Sequence, residues 1–304
     1  MIWGYLIHLG YNMWLDREAP ELDKPDLSAK SYLRFDEELW DELLPAMSAA
    51  GVNTLVIDLG EGVRYASHPE IAVDGSWSVE KLQAEVERLR SMGIEPIPKL
   101  NFSATHDAWL GPYSRMVSTS TYYEVCRDLI GEVIEIFDGP PLFHLGMDEE
   151  TAEHQRHHAY AVMRQYDLWW HDLMFLVREV ERKDVRAWIW SDYVWHHPHD
   201  FFERMPKSVL QSNWHYGCEF DPAKEYVKAY LDLDAHGFDQ VPTGSNWSCD
   251  TNFGGTTEFA RKHIARERLA GFLQTVWHPT LAEYRQKHLD AIDQLARARV
   301  AFEG

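Results

Sequence analysis

The chain has little cysteine and no cysteine motif. Of its 304 residues only Cys126, Cys218 and Cys249 are cysteine, and they are widely spaced. An odd number of cysteines without a close pair excludes the usual zinc-binding motifs and argues against a disulfide framework. We therefore expect buried or incidental thiols in a protein of a reducing compartment.

Long apolar runs and an excess of positive charge are also missing. No window approaches the roughly 20 apolar residues of a membrane span, and the first residues, MIWGYLIH, lack the basic region of a signal peptide. The 29 basic residues are outnumbered by 49 acidic ones, for a formal net charge of -20. This charge repels phosphate backbones and anionic lipid surfaces. The sequence predicts a cytoplasmic protein with no nucleic acid and no membrane as partner, and it leaves the oligomeric state open.

Extended apolar runs alternate with amphipathic helical runs from one end of the chain to the other. The predicted strands cover residues 4–9, 54–59, 95–100, 142–145, 186–190, 209–213, 241–245 and 272–277. Such alternation is typical of β/α repeats, and eight repeats favour a closed barrel over an open sheet. No linker or low-complexity segment divides the chain. The predicted fold is a single (β/α)8 TIM barrel over residues 1–304.

Helical spacing and glycines mark the segments between the strands. Apolar residues recur at helical intervals over 125–137, 162–180 and 289–300, the last set ending in Ala296 and Val300. Gly51, Gly93 and Gly271 each stand between a helical run and the next strand, where a left-handed helix cap is expected. The longer connections follow predicted strands, on the face where barrel enzymes keep their sites.

The fourth predicted strand ends in three adjacent carboxylates, Asp148, Glu149 and Glu150. Because neighbouring carboxylates repel one another, at least one of them should have a pKa above that of a free Glu in a partly desolvated cleft. A retained proton is what a general acid needs. The structural alternative is a polar loop that begins the next helix, where acidic residues are favourable in the first turn.

Other predicted strands also end in polar residues, and tryptophan accumulates at the same ends. The polar residues are His8, Asp58, Asn101 with His106, Asp192, Asn213 with His215, Asn246 and His278. The tryptophans are Trp188, Trp190, Trp195, Trp214, Trp247 and Trp277. Indole faces pack on the apolar C–H faces of sugar rings, although core packing is the commoner role of any single Trp. Carboxylates, imidazoles and indoles on one face predict a carbohydrate site, and no cofactor is expected.

These strand ends resemble those of glycoside hydrolase family 20, the β-N-acetylhexosaminidases. Residues 144–149, HLGMDE, are similar to the family's His-x-Gly-Gly-Asp-Glu strand end, and residues 93–99, GIEPIPK, to its Gly-Ile-Glu-Val-Ile-Pro-Glu run. Residues 190–192, 213–214 and 275–277 follow in the order in which the family places Trp and Asp around the terminal sugar. The resemblance covers about residues 40 to 280. It implies a glycosidase that removes a terminal sugar with the substrate's own acetamido oxygen as nucleophile.

The resemblance also implies a role for each site residue. Glu149 would protonate the leaving glycosidic oxygen, and Asp148 would orient the acetamido group. His106 would support the acid through a hydrogen-bonded relay, and His144 would lie behind the pair. Asp192, His8 and His106 are predicted to bond the hydroxyl groups of the sugar. The walls of the sugar pocket are predicted to consist of Trp190, Trp214, Trp247 and Trp277.

Departures from the family pattern leave other functions open. The first strand end lacks the family's hydroxyl-binding Arg, and residues 244–247 lack its acetamido-binding Tyr, unless Tyr216 or Tyr11 supplies the phenol. The end of the eighth predicted strand has Trp277-His278, where the family usually has Trp-x-Glu. A glycosidase for a sugar without an N-acetyl group would need a protein nucleophile or base, for which the candidates are Asp148, Asp192 and Asp58. A carbohydrate-binding barrel without turnover is the alternative that is not an enzyme.

Histidine clusters raise the further alternative of a metal site. His154, His157 and His158 lie close together in the sequence, and residues 195–200, WHHPHD, place three imidazoles beside a carboxylate. Neither group has a familiar ligand spacing. No metal ligand is therefore assigned.

Overall fold

The computed structural model describes residues 1–22 and 24–304. Eight parallel strands alternate with helices along the chain. The strands are β1 (Ile2–His8), β2 (Thr54–Asp58), β3 (Glu95–Lys99), β4 (Leu142–His144), β5 (Arg186–Trp190), β6 (Leu210–Ser212), β7 (Thr243–Ser245) and β8 (Gly271–Thr275). The α-helices are α1 (Glu37–Ala50), α2 (Val79–Ser91), α3 (Ser120–Ile136), α4 (Asp167–Glu181), α5 (Tyr193–His196), α6 (Pro198–Arg204), α7 (Glu225–Ala235), α8 (Asn252–His263) and α9 (Arg285–Glu303).

The sheet closes into a barrel. Its strand order is β6-β5-β4-β3-β2-β1-β8-β7, with every pair parallel. Backbone hydrogen bonds join the two ends of this order, because the Val241 amide donates to the Gln211 carbonyl at 2.8 Å and the Thr243 amide to the Asn213 carbonyl at 2.9 Å. The predicted (β/α)8 TIM barrel is therefore confirmed, and all eight predicted strands are present with ends within two residues of the expected ones.

Alternation along each strand separates two apolar layers. In β5, Ala187 and Ile189 join the large cluster between strands and helices, whereas Trp188 and Trp190 point into the barrel and pack there with residues such as Leu6. This is the two-residue period of a barrel strand. Since the inward side chains at the strand ends reach the carboxyl face, the same period decides which residues can build a site there. None of the described helices is both long and apolar enough to cross a membrane.

Two predicted helical faces are partly wrong. Helix α4 begins at Asp167, so the first positions of the 162–180 pattern lie outside it, and Tyr166 is 75% exposed. In α9 the exposed Val300 does not belong to the buried face, which includes Ala291, Leu295 and His288. His288 occupies a core position because its Nδ1 pairs with the Tyr5 hydroxyl at 2.9 Å. A helical face predicted from the spacing of apolar residues alone omits a buried polar residue whose side chain has a hydrogen-bond partner in the core.

Two of the three predicted glycine caps are confirmed. Gly51 and Gly93 have φ angles of 80° and 76°, in the left-handed region. Gly271 instead opens β8, and a Cβ atom on it would lie 2.2 Å from the Ile2 carbonyl oxygen. This glycine is needed for the close approach of β8 to β1, not for a turn.

The expectation of unpaired cysteines is wrong for two of the three. Cys218 and Cys249 form a disulfide with a Cα–Cα distance of 5.5 Å, whereas Cys126 is a buried free thiol. The pair is 31 residues apart in sequence. It joins the loop after β6 to the loop after β7, which are neighbours only once the barrel has closed. Sequence spacing could not show this proximity.

Candidate active site

A cavity of about 280 Å³ opens at the carboxyl ends of the strands. It is lined by Met13, Trp14, Asn101, His106, Asp148, Glu149, Trp190, Trp214, Tyr216, Trp247 and Trp277. Seven of the ten predicted site residues are in this set: Asp148, Glu149, His106 and the four tryptophans. The structure therefore brings the carboxylate pair and the aromatic residues to one cavity.

An unusual backbone turn after β4 presents the two carboxylates. Gly146, Met147 and Glu149 have φ angles of 71°, 76° and 55°, so left-handed residues flank Asp148 on both sides. Gly146 cannot carry a side chain, because a Cβ atom there would lie 2.0 Å from the Asn101 Oδ1 atom. Positive φ costs energy at residues such as Met147 and Glu149, and such conformations persist only where the surroundings hold them.

Side chains from the neighbouring strand ends hold this turn. The Asn101 Oδ1 atom accepts from the Met147 amide at 3.1 Å, and its Nδ2 atom donates to Asp148 Oδ1 at 2.8 Å. On the other side of the turn, the Glu149 amide donates to Asp192 Oδ2 at 2.9 Å. The Asp148 carboxylate is thereby fixed in the cavity wall before any ligand binds.

His106 lies beside both carboxylates. Its Nε2 atom is 3.2 Å from Glu149 Oε2 and 3.6 Å from Asp148 Oδ2, and its Nδ1 atom is 2.9 Å from the Met13 carbonyl oxygen. Burial lowers the pKa of His106, but the charge of Asp148 and the hydrogen bond to Glu149 outweigh it and raise this pKa to about 9. His106 is therefore a cation at neutral pH and forms an ion pair with Glu149.

The sequence predicts a raised pKa for at least one of the three carboxylates, but the pKa of Glu149 is lowered. Burial raises it, but the hydrogen bonds and positive charges of His106 and His154 together lower it well below the usual range of a Glu. The His154 Nε2 atom lies 3.4 Å from Glu149 Oε1. A raised carboxyl pKa occurs instead at Asp192, where burial and the nearby charge of Asp148 raise it to about 7. Repulsion between carboxylates therefore does raise a pKa in this site, but that of Asp192, which follows β5, and not that of a residue in the run after β4.

The third carboxylate of the run does not face the cavity. Glu150 forms a buried ion pair with Arg164, whose Nε atom donates to Glu150 Oε1 at 2.8 Å. Arg164 also lies 3.3 Å from Asp172 and donates to the Phe102 carbonyl at 2.6 Å. Glu150 therefore anchors the segment that follows the carboxylate pair.

Three predicted substrate-binding residues lie outside the cavity lining. His8 is buried and its Nδ1 atom is 3.1 Å from Asp58, which also pairs with Lys99 at 2.6 Å. His144 is buried against the ring of Trp190, at a centroid distance of 4.3 Å. Asp192 is bonded to the backbone of Glu149, as described above. His8 and His144 support the wall from inside the barrel, and Asp58 is held away from the cavity by its hydrogen bond to His8 and its ion pair with Lys99.

Sequence reasoning missed one aromatic residue of the cavity, Trp14, and left the choice between Tyr216 and Tyr11 open. Trp14 lies in the loop after β1 and packs edge-on against His106, at 5.2 Å between ring centroids. Tyr216 lines the cavity and stacks on Trp214, whereas the Tyr11 hydroxyl donates to the Trp277 carbonyl at 2.7 Å and does not line it. The length of the loop after the first strand was the available signal for Trp14.

The cavity wall is divided by chemistry. Its carboxylates, its imidazole and its amide side chain, from Asp148, Glu149, His106 and Asn101, all follow β3 or β4. The lining residues at or after the ends of β1, β5, β6, β7 and β8 are aromatic or Met. A bound ligand would contact charged and amide groups on one side and aromatic faces on the other. This combination suits a sugar ring, which has both hydroxyl groups and apolar C–H faces.

The histidine clusters do not converge on a metal site in the part of the chain that the structure describes. His158 Nε2 lies 3.2 Å from the Thr105 carbonyl oxygen, His197 stacks on Tyr193, and His199 is exposed. Ligand atoms of His106, Asp148 and Glu149 do lie within 4.8 Å of one another. We assign this contact as the hydrogen-bonded ion pair described above, because the imidazole nitrogen meets the Glu149 carboxylate directly.

No protein-family model matches the sequence, and no curated protein matches it. Solved structures do match the fold. Dispersin B is similar with a TM-score of 0.58 and 16% identity, over 87% of this chain and 95% of its own. The β-N-acetylhexosaminidase from Bacteroides fragilis is similar with a TM-score of 0.65 and 14% identity, over 96% of this chain and 64% of its own.

A third similar structure is the family 20 exo-β-N-acetylglucosaminidase from Vibrio harveyi, in complex with N-acetylglucosamine. Its TM-score is 0.61 at 13% identity, over 99% of this chain and 57% of its own. The chain thus spans nearly all of dispersin B but about three fifths of the other two. At these identities the likeness establishes the fold. The resemblance to family 20 catalytic barrels that the sequence predicted is confirmed at that level.

Proposed function

We propose that the protein is a glycoside hydrolase that removes a terminal sugar, with Glu149 as general acid and base and Asp148 as its partner. The observation that carries this proposal is the adjacent Asp148 and Glu149 side chains in the wall of an aromatic cavity, both within 3.6 Å of the His106 imidazole. The family 20 fold of the neighbouring structures supports it.

The size of the cavity supports action at a chain end. At about 280 Å³ it is near the lower limit of ligand pockets, which run from roughly 300 to 1,000 Å³. This is room for about one sugar ring. Trp190, Trp214 and Trp277 would pack against that ring, and Trp247, which is 52% exposed, would contact it at the mouth. The substrate is accordingly a carbohydrate with an accessible terminal residue.

Each carboxylate would have a distinct role in the reaction. Glu149 shares a proton with His106, and the Glu149 carboxyl would pass a proton to the glycosidic oxygen as that bond breaks. Asp148, held by Asn101, would orient an acetamido group whose oxygen attacks the anomeric carbon. Water would then release the product and return a proton to Glu149. Tyr216 is the cavity residue that could hold the acetamido carbonyl, because its phenol lies in the wall.

A second candidate, sugar binding without turnover, is favoured by one observation. Two imidazoles contact Glu149 and favour its ionised form, whereas a general acid must carry a proton when the substrate reacts. Turnover therefore requires that substrate binding shift the proton to Glu149. If binding does not do so, the cavity would hold a sugar and leave its bond intact.

Initial rates on matched aryl β-glycosides separate these functions. We would compare the N-acetylglucosaminide with the glucoside, for the wild-type protein and for Glu149→Gln. Turnover of the N-acetyl sugar alone, lost in the variant, supports the acetamido-assisted reaction. Equal or better turnover of the glucoside supports a protein nucleophile or base, for which Asp148 is the candidate in the cavity wall. Sugar binding that survives in both proteins without any turnover supports the binding function and overturns the proposal.

A further inference from the structure

His154 contacts the proposed acid but has no assigned role in the reaction. It lies in the segment between β4 and α4, and its Nε2 atom is 3.4 Å from Glu149 Oε1. His106 occupies the other oxygen, Oε2, at 3.2 Å. Each oxygen of the Glu149 carboxylate is thus covered by one imidazole.

The two imidazoles differ in burial. The His106 side chain is 4% exposed and is held from behind by the Met13 carbonyl, whereas the His154 side chain is 43% exposed. His154 is attached to its own loop by a 2.8 Å contact between its Nδ1 atom and the Thr151 hydroxyl. A half-exposed imidazole on a loop can move aside, but a buried one cannot. Oε1 is therefore the carboxylate oxygen that an incoming glycosidic oxygen can reach, once His154 leaves it.

We propose that His154 is a positioning residue that caps Oε1 of Glu149 and is displaced when the glycosidic oxygen of the substrate binds there. This inference rests on the proposed function for the identity of the incoming group. While His154 is protonated, the cap keeps Glu149 ionised and competes with the substrate. When His154 loses its proton, the competition weakens.

Several ionisable groups act on this contact and must be considered in any pH dependence. His106 approaches Glu149 from the loop after β3, Asp192 from the end of β5, and Tyr216 from the loop after β6, while Asp148 is adjacent in sequence. The hydrogen bond to Glu149 raises the pKa of His154. The pKa of His106 is also raised, to about 9, because its carboxylate neighbours outweigh its burial.

The kinetic test is a His154→Gln variant assayed from pH 5 to pH 9 on the aryl N-acetylglucosaminide. An ion pair as exposed as this one contributes an amount that corresponds to about a 1.5- to 5-fold change in equilibrium. We expect kcat/KM to rise by that factor at low pH, through KM, and to equal the wild-type value at high pH. The kcat should not change, because the bound substrate has already displaced the imidazole.

A matched control is His157→Gln, since His157 lies in the same segment and its side chain bonds Arg156 rather than Glu149. A loss of kcat in His154→Gln at all pH values, or the same behaviour in both variants, would overturn the inference in favour of a structural role for the loop. A change that does not depend on pH would overturn it as well.

A second measurement does not depend on turnover. The imidazole of His154 is titrated by NMR in the wild-type protein and in Glu149→Gln, with assignment from the spectrum of His154→Gln. We expect the pKa of His154 to fall toward 6.5 when the carboxylate is removed. Identical titration in both proteins would overturn the cap. If the wild-type protein hydrolyses none of the glycosides, the proposed function fails while this titration still decides whether the contact exists.

Discussion

Replacing Arg164 with Met should destabilise the protein more than any surface substitution, because it leaves buried carboxylates without their cation. The side chains of Arg164, Glu150 and Asp172 are 1%, 3% and 0% exposed. Removing one partner of a buried ion pair typically costs about 3 to 5 kcal/mol. Asp172 keeps a hydrogen bond from the Ser118 hydroxyl, and Glu150 keeps one from the Ala104 amide, so the lower end of this range applies.

We therefore expect a loss of about 3 kcal/mol in the free energy of unfolding. In a chain of this size that corresponds to a fall of roughly 6 °C in Tm. The assay is urea unfolding followed by Trp fluorescence, with calorimetry for Tm. The control is Arg297→Met, which breaks the exposed Arg297–Asp293 pair and should cost about 0.5 kcal/mol or less.

A double variant tests the cause. Glu150→Gln removes the charge that Arg164→Met leaves unpaired, so the double variant should be more stable than Arg164→Met alone by about 1 kcal/mol or more. A cost for Arg164→Met no larger than that of Arg297→Met would refute the reasoning. A double variant that is no more stable than the single one would refute the electrostatic cause in particular.

Three further predictions concern the cysteines, a buried histidine and metals. In denaturant without reductant, the chain should show one titratable thiol, from Cys126. Reduction should expose the thiols of Cys218 and Cys249 and lower the free energy of unfolding by about 3 to 4 kcal/mol. Three thiols before reduction would contradict the disulfide. Burial lowers the pKa of His288 to about 4, so as the pH falls the unfolded chain binds a proton on this residue before the folded protein does. The free energy of unfolding should therefore fall between about pH 6.5 and pH 4. The unfolding midpoints of His288→Gln should lack this pH-dependent loss, and a pH dependence equal to that of the wild-type protein would contradict the prediction. Chelators should leave glycoside hydrolysis unchanged, and activity lost to EDTA and restored by a divalent cation would contradict the assignment of the His106–Glu149 contact as an ion pair.

The positions of the strand ends could be predicted because they depend on the sequence pattern of a few neighbouring residues. The apolar runs that become β4 and β5 are short and bounded by proline, glycine or polar residues, so their position and the polar residues that follow them can be read from the sequence. Asp148 and Glu149 follow one such run directly, and so their place at the carboxyl face could be predicted.

Relations across the barrel could not be predicted in the same way. The pKa of Glu149 depends on His154 and on His106, which reaches it from another loop, and the exclusion of Glu150 from the cavity depends on Arg164. His8 was expected to bond a sugar, but its partner Asp58 holds it inside the wall. In each case the deciding contact joins residues whose proximity is set by tertiary packing and not by spacing along one element.

Under the proposed function, the divided wall of the cavity implies that the chemistry of bond cleavage and the choice of sugar can change independently. Substitutions after β1, β5, β6, β7 and β8 alter the shape presented to the sugar, while the ends of β3 and β4 keep the carboxylates and their supporting imidazole. A descendant of such a glycosidase could therefore acquire a new preferred sugar through changes at Trp14, Trp214 or Trp247 while Asp148 and Glu149 stay unchanged. The same separation makes those three positions the first choice for a library that seeks altered sugar preference.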